Sequence, residues 1–152
     1  MPFNIVLIEP EIPNNTGNIG RLALATGCRL HLVKPLGFEI DDSRLKRAGL
    51  DYWPHLDVHY YDHLEDFFSR VNPAKMVFLS SHAKKEYHDI PFEPELYLVF
   101  GKESVGLPKK ILQSHEDQNY NIPILSQHVR SLNLANAVAI VTYEGIRKLR
   151  NI

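Results

Sequence analysis

The chain has 152 residues, 44% hydrophobic and 23% charged, the size and balance of one ordinary globular domain spanning 1–152. A formal net charge of −1 excludes a global basic field, so nucleic-acid binding has to come from local clusters or from two chains pooling their charge. Cys28 is the single cysteine, which excludes an intrachain disulfide and a cysteine-built zinc site. With no signal-like start and no run near the ~20 apolar residues of a membrane span, the expectation is a reduced, cytoplasmic, membrane-free protein.

Phe3–Ile8 is a short apolar, β-branched run and predicts a first strand. Glu9–Asn15 is expected to be a loop, punctuated by Pro10 and Pro13. Thr16–Thr26 predicts a helix, with Ile19, Leu22 and Ala23 on one face and Gly27 at its stop. Arg29–Val33 is a second strand, after which Pro35 and Gly37 break the chain. Ser43–Ala48 reads as a short polar helix, and Asp57–Tyr60 as a weak strand. Asp62 and Glu65 have capping-box spacing and open a helix to about Ser69. Lys75–Leu79 and Leu96–Phe100 are strands, the second running directly into Gly101. Pro108–Gln113 is a short helix with proline at its start, and Tyr120–Ile124 a last strand. Asn133–Arg150 is the longest helix, with Leu134, Ala137, Val138 and Val141 as its apolar stripe. This alternation predicts an α/β fold: a mostly parallel sheet flanked by helices. Ligands of such sheets bind beyond the carboxyl ends of the strands, so the loops after strands are where chemistry is expected.

Three loops stand out. The first is Asn14-Asn15-Thr16-Gly17-Asn18, with Arg21 one turn later. A turn and an N-cap account for Asn15 or Thr16, but asparagine and arginine together also suit sugar hydroxyls and phosphates, and both readings stay open. Gly17-Asn18-Ile19-Gly20 lacks the dinucleotide fingerprint. The second loop is Gly101-Lys102-Glu103-Ser104-Val105-Gly106-Leu107-Pro108. Its glycines have Walker-A spacing, but Leu107-Pro108 stands where Lys-Ser/Thr is required, which disfavours a nucleotide hydrolase. Its glycines allow the backbone to approach a ligand closely, although a tight strand-to-helix turn explains them too. The third runs from Ile122-Pro123-Ile124 to Arg130-Ser131-Leu132-Asn133, then Ala135, Ala137 and Ala139. Ser-Leu-Asn is partly a cap, and Arg130 just before it is placed to meet an anion.

Together these loops resemble the three motifs of the SPOUT methyltransferases. Within the TrmH-like branch, the likeness is greatest to the small TrmL/YibK (CspR-like) group that methylates wobble nucleotides of tRNA. The resemblance also takes in Glu9-Pro10-Glu11-Ile12-Pro13, Pro35-Leu36-Gly37-Phe38, Arg47-Ala48-Gly49-Leu50-Asp51-Tyr52 and Tyr143-Glu144. It implies a C-terminal trefoil knot, a rare exception to the usual rules of chain threading. It implies S-adenosylmethionine as methyl donor, with S-adenosylhomocysteine as product and no metal. The implied donor contacts are Leu79, Gly101, Ile122, Ser131 and Leu132. The implied catalytic set is Arg21, Glu103, Ser131 and Asn133, and the implied RNA contacts are Asn15, Arg21, Arg130, Tyr143, Arg44 and Arg47. The implied reaction is transfer to the ribose 2′-hydroxyl of C or U at the first anticodon position, by a homodimer that binds tRNA. Two departures are visible: Lys102 stands where a proline is common, and 124–129 is slightly longer than the bacterial pattern.

A TrmH-like enzyme for another tRNA or rRNA site, and a non-catalytic RNA-binding dimer of the same fold, remain alternatives. Arg44, Lys46 and Arg47, Lys84-Lys85 and Lys109-Lys110 form basic clusters, any one of which is ordinarily a solvated face. His55, His59 and His63 near Asp57 and Asp62 suggest a metal only weakly, because the segment crosses a strand and a turn. Tyr52 and Trp53 are read as packing, with stacking on a flipped base as the alternative.

Overall fold

A computed structural model describes residues 2–41, 43 and 51–151. Seven strands are named: β1 (Phe3–Ile8), β2 (Arg29–Val33), β3 (Val58–Tyr61), β4 (Met76–Leu79), β5 (Lys85–Glu86), β6 (Leu96–Phe100) and β7 (Asn119–Asn121). They form one sheet in the order β3-β2-β1-β6-β4-β7-β5, and every pairing is parallel. The α-helices that lie wholly within the described residues are α1 (Pro13–Thr26), α2 (Leu64–Arg70), α3 (Lys109–Ser114) and α4 (Leu134–Leu149). The predicted parallel sheet flanked by helices is therefore the observed architecture. The helix expected over Ser43–Ala48 lies, beyond Ser43, outside the described residues, as do Arg44, Lys46 and Arg47.

Alternation along β1 sorts the core into two layers, as the period of a strand requires. Phe3, Ile5 and Leu7 join Leu30, Leu32, Leu96 and Leu98 beneath α1 and α4, through Ile19, Ala23, Val138 and Val141. Val6 and Ile8 face the other way, with Val33, Phe67, Phe78, Val99, Leu107 and Ile111, under α2 and α3. β1 is buried on both faces, which is why its sequence is apolar at every position but Asn4. The one polar side chain in β1, Asn4, is satisfied: its amide donates to the Glu95 carbonyl at 2.9 Å, and its oxygen meets His31 Nε2 at 2.9 Å. At Gly145 a Cβ would come within 2.6 Å of both Phe3 and Phe92, so α4 lies against the core by way of its missing side chain.

Several boundaries differ from the sequence reading for identifiable reasons. α1 begins at Pro13, three residues before the expected start, because proline is tolerated in the first turn of a helix, where its missing N–H has no partner anyway. The cap of α2 is His63 rather than Asp62: Asp66 N donates to His63 Nδ1 at 3.1 Å, while Asp66 Oδ2 accepts from Asp62 N at 3.0 Å. β7 stops at Asn121 instead of Ile124, short of Pro123, which has no N–H for a ladder. The two-residue β5 was not anticipated; it pairs only with β7.

β7 lies between β4 and β5, both of which precede it in the chain. The segment after β7 then runs to α4, which packs on α1.

Candidate active site

A cavity of about 870 Å³ opens at the carboxyl ends of β4, β6 and β7 and reaches Ile12 and Asn15 at the start of α1. That volume is within the usual range of ligand sites. All five residues expected to hold the donor line it: Leu79, Gly101, Ile122, Ser131 and Leu132. So do Glu103, Asn133, Asn15 and Arg130, which the sequence reading placed in catalysis or RNA binding. Residues as far apart in the chain as Asn15 and Asn133 thus converge on one space.

Gly101 is required by the shape of the loop after β6. A Cβ there would lie 2.2 Å from the Gly106 carbonyl carbon and 2.3 Å from Leu107 N. The loop folds back on itself, with Gly106 N donating to Lys102 O at 2.9 Å and Gly106 at φ 71°. Gly101 and Gly106, both among the residues that line the cavity, bring backbone N–H and C=O groups to its wall, the kind of group that reads the edge of a flat ligand.

Glu103 does not point its carboxylate freely at a reacting atom. Its Oε1 accepts from Glu11 N at 2.8 Å and its Oε2 from Ile12 N at 2.9 Å, so it closes the exposed amino end of α1 from the far side of the cavity. Oε2 also accepts from Asn15 Nδ2 at 3.3 Å. Asn15 Oδ1 in turn accepts from Asn133 Nδ2 at 3.1 Å. Asn133 is the N-cap of α4: its Oδ1 accepts from Ala135 N at 2.9 Å and Asn136 N at 3.3 Å. One hydrogen-bonded chain therefore ties the first, second and third loops together. Lys102, the departure from the family pattern, pairs with Glu9 at 3.1 Å on the cavity's edge.

Arg21 and Tyr143 are not among the cavity's lining residues. Arg21 is exposed on α1, its guanidinium 5.6 Å from the centre of the Tyr52 ring. Tyr143 is 52% exposed on α4. Arg21 and Tyr52 thus meet outside the cavity lining, a contact that packing alone did not suggest. Trp53 packs: a Cβ on Gly20 would meet its ring at 2.7 Å. His59 pairs with Asp57 at 2.8 Å and His63 caps α2, so these two histidines have partners other than a metal.

Residues 2–143 match the model of the family described as SpoU rRNA Methylase. The chain belongs to the SpoU methylase family. This SpoU methylase is 47% identical over 148 residues to a protein of Saccharophagus degradans named tRNA (cytidine(34)-2'-O)-methyltransferase, aligning 97% of this chain and 96% of the relative. It is similar, with a TM-score of 0.93 and 40% identity, to a solved structure described as giving insights into the 2-OH methylation of C/U34 on tRNA; 99% of this chain and 97% of that one are covered. An AdoMet-bound rRNA methyltransferase from Sinorhizobium meliloti aligns with a TM-score of 0.86 and 25% identity, over 97% of this chain and 57% of that one. The resemblance drawn from the three loops is confirmed at the level of the family. Glu11, which sequence reasoning did not single out, also belongs to the SpoU methylase's site through its contacts with Ser104 and Glu103. Its signal was membership of the Glu9-Pro10-Glu11-Ile12-Pro13 segment that carries part of the resemblance.

Proposed function

We propose that this chain transfers a methyl group from S-adenosylmethionine to the ribose 2′-hydroxyl of the wobble nucleotide, C or U at position 34, of tRNA. The observation that carries the reading is the convergence of Leu79, Gly101, Ile122 and Ser131 on one cavity. Near-full-length similarity to a relative named for that reaction supports the same substrate. The AdoMet-bound neighbour supports the donor. The cavity suits an adenosine: the loop backbone at Gly101 and Gly106 offers N–H and C=O groups to the edge of a flat base, and Leu79, Ile122 and Leu132 supply apolar contact.

When bound, the sulfonium donor supplies a methyl group whose leaving group is a neutral thioether, so the reaction needs no metal. What remains for the protein is to hold a ribose oxygen in line and to ease removal of its proton. Arg21 acts as a clamp for the adjacent phosphate and the developing alkoxide, not as a base. Ser131 and Asn133 are the polar groups that meet the sugar, with Arg130 on the neighbouring backbone, and Glu103 serves by shaping the site. Arg44, Arg47 and Tyr143 are further RNA contacts, while Asn15, buried and bonded to Glu103 and Asn133, serves from within the site.

The active form is a cytoplasmic homodimer, in which Arg21 and Tyr143 from one chain complete the surface around the cavity of the other. Residues 1–152 act as one methyltransferase domain. The placement of β7 between two earlier strands supports the family's trefoil knot. The deciding experiment is incubation with labelled S-adenosylmethionine and undermodified total tRNA, followed by nucleoside mapping by mass spectrometry. Label is expected on the 2′-oxygen of C or U at position 34; label on a base, or none, overturns the assignment. Arg21→Lys is expected to lose at least about tenfold in kcat/KM, because a point charge replaces a planar fork.

A further inference from the structure

Glu11 is not among the cavity's lining residues, yet it holds part of its wall. Ser104 N donates to Glu11 Oε1 at 2.9 Å, while Glu11 N donates to Glu103 Oε1 at 2.8 Å. Each of two turns, one after β1 and one after β6, therefore sends a carboxylate to the backbone of the other. The bonds to Ser104, through its side chain and its N–H, hold the Glu11 carboxyl below the usual range, with Lys102 adding a smaller pull. Glu11 is thus ionised at neutral pH. Its backbone is fixed from behind: Gly37 N donates to Pro10 O at 2.9 Å, and a Cβ on Gly37 would lie 2.8 Å from the Glu11 Cα. Glu9 precedes it at φ 51°, an uncommon conformation for a side-chain-bearing residue, and reaches Lys102 at 3.1 Å.

We infer that Glu11 is a positioning residue for the donor cavity, gripping Ser104 so that the loop 101–107 keeps the fold that presents the Gly101 backbone. The inference rests on the donor-site reading above. It assigns Glu11 a role through Ser104 and not at the reacting atoms. Glu11 and Glu103 form one clasp, so the loop after β6 and the start of α1 hold or loosen together. Because Asn15 bonds both Glu103 and Asn133, the clasp also reaches the cap of α4.

The test uses the full chain carrying Glu11→Ala, Glu11→Gln, Glu103→Ala or the double alanine change. Amide hydrogen exchange without ligand reads the loop directly. In Glu11→Ala, exchange across 101–107 is expected to rise about tenfold or more, the signature of a locally weakened segment. Glutamine is expected to stay within about threefold of the parent chain, because its amide oxygen still accepts from Ser104 N and the serine hydroxyl can turn to accept from its NH₂. Calorimetry with S-adenosylmethionine is expected to follow the same order, with Kd about tenfold weaker for alanine and within about threefold for glutamine. The double variant is expected to bind no more weakly than the worse single one, since both changes open the same clasp. Unchanged loop exchange in Glu11→Ala, equal damage from glutamine and alanine, or additive losses in the double variant each overturn the inference. A parent chain that takes up no donor sinks the functional reading instead, and the exchange measurement still decides the clasp.

Discussion

His31 shows how a single buried side chain sets the acid limit of this fold. Its Nε2 lies 2.9 Å from Asn4 Oδ1 and its Nδ1 2.9 Å from the Tyr61 hydroxyl. Asn4 gives its amide protons to the Glu95 carbonyl, which leaves its oxygen to accept; Nε2 must therefore donate, and Nδ1 accepts from Tyr61. The neutral ring is fully satisfied, and a second proton would add a charge to a buried ring while only reversing the Tyr61 bond, so that the hydroxyl accepts. Burial first, then the neighbouring His59, pushes the His31 pKa down from 6.5 to about 3. Above pH 6.5 neither the folded nor the unfolded chain carries the extra proton. Between there and about pH 3 the unfolded chain binds it and the folded chain does not, so stability falls as pH falls. The slope from this one group is at most ~1.4 kcal/mol per pH unit. Urea midpoints measured across that window are expected to decline less steeply in His31→Gln; identical slopes would mean that His31 takes up its proton inside the fold. Gly101 makes an independent residue-scale prediction. Gly101→Ala is expected to cost at least about a hundredfold in donor affinity by calorimetry, because its methyl group would meet backbone and not a movable side chain. Donor binding close to that of the parent chain would show that the loop can rearrange without losing the site.

At the scale of elements, α4 is where structure and chemistry share one side chain. Asn133 caps the helix through Oδ1 and bonds Asn15 through Nδ2. Asn133→Ala is expected to cost ~1–2 kcal/mol in unfolding free energy from the lost cap. Asn133→Ser keeps a capping oxygen and loses the bond to Asn15. It is expected to restore most of that stability in a denaturant titration while donor affinity stays weakened. Recovery of both together would make the Asn15 bond incidental. Much of this layout was legible beforehand. β1, β2 and β6 are apolar runs bounded by turn residues and have the expected limits, and Gly27 ends α1 where it should, at φ 72°. Local pattern failed where a long-range partner decides the outcome. β5 exists because β7 comes to lie beside it, and no property of Lys85-Glu86 announces that. Glu103 was singled out from its motif, but that its oxygens would be taken by the backbone of residues 11 and 12 depends on tertiary approach. The surface position of Arg21 over Tyr52, away from the cavity lining, was hidden for the same reason.

For the whole molecule, a chain of net charge −1 has to gather basic residues to hold tRNA, and two chains do this better than one. α1 and α4 pack together and expose Leu24, Ile140 and Tyr143, at 37%, 37% and 52%. Ile140 and Tyr143 are spaced to share a helix face. On the homodimer proposed above, Ile140→Glu is expected to give a monomer by analytical ultracentrifugation and to lose methyl transfer while keeping the far-UV spectrum. An active monomer would place the whole site within one chain. In the parent protein, tRNA affinity is expected to fall steeply with salt, by about a hundredfold or more between 50 and 200 mM if five or more phosphates are contacted. A flat response would rule out a phosphate-binding patch.

The strand inserted between β4 and β5 also governs how such a chain can be made. During synthesis the ribosome delivers β4, β5 and β6 before β7, so the slot next to β4 stays open in the nascent polypeptide. Until the last third emerges, two unpaired backbone edges face solvent, each a template for a stray strand from a neighbouring chain. Premature termination after β6 would leave them exposed for good, and a chaperone that shields that gap would protect the yield of this protein more than one acting on its finished surface.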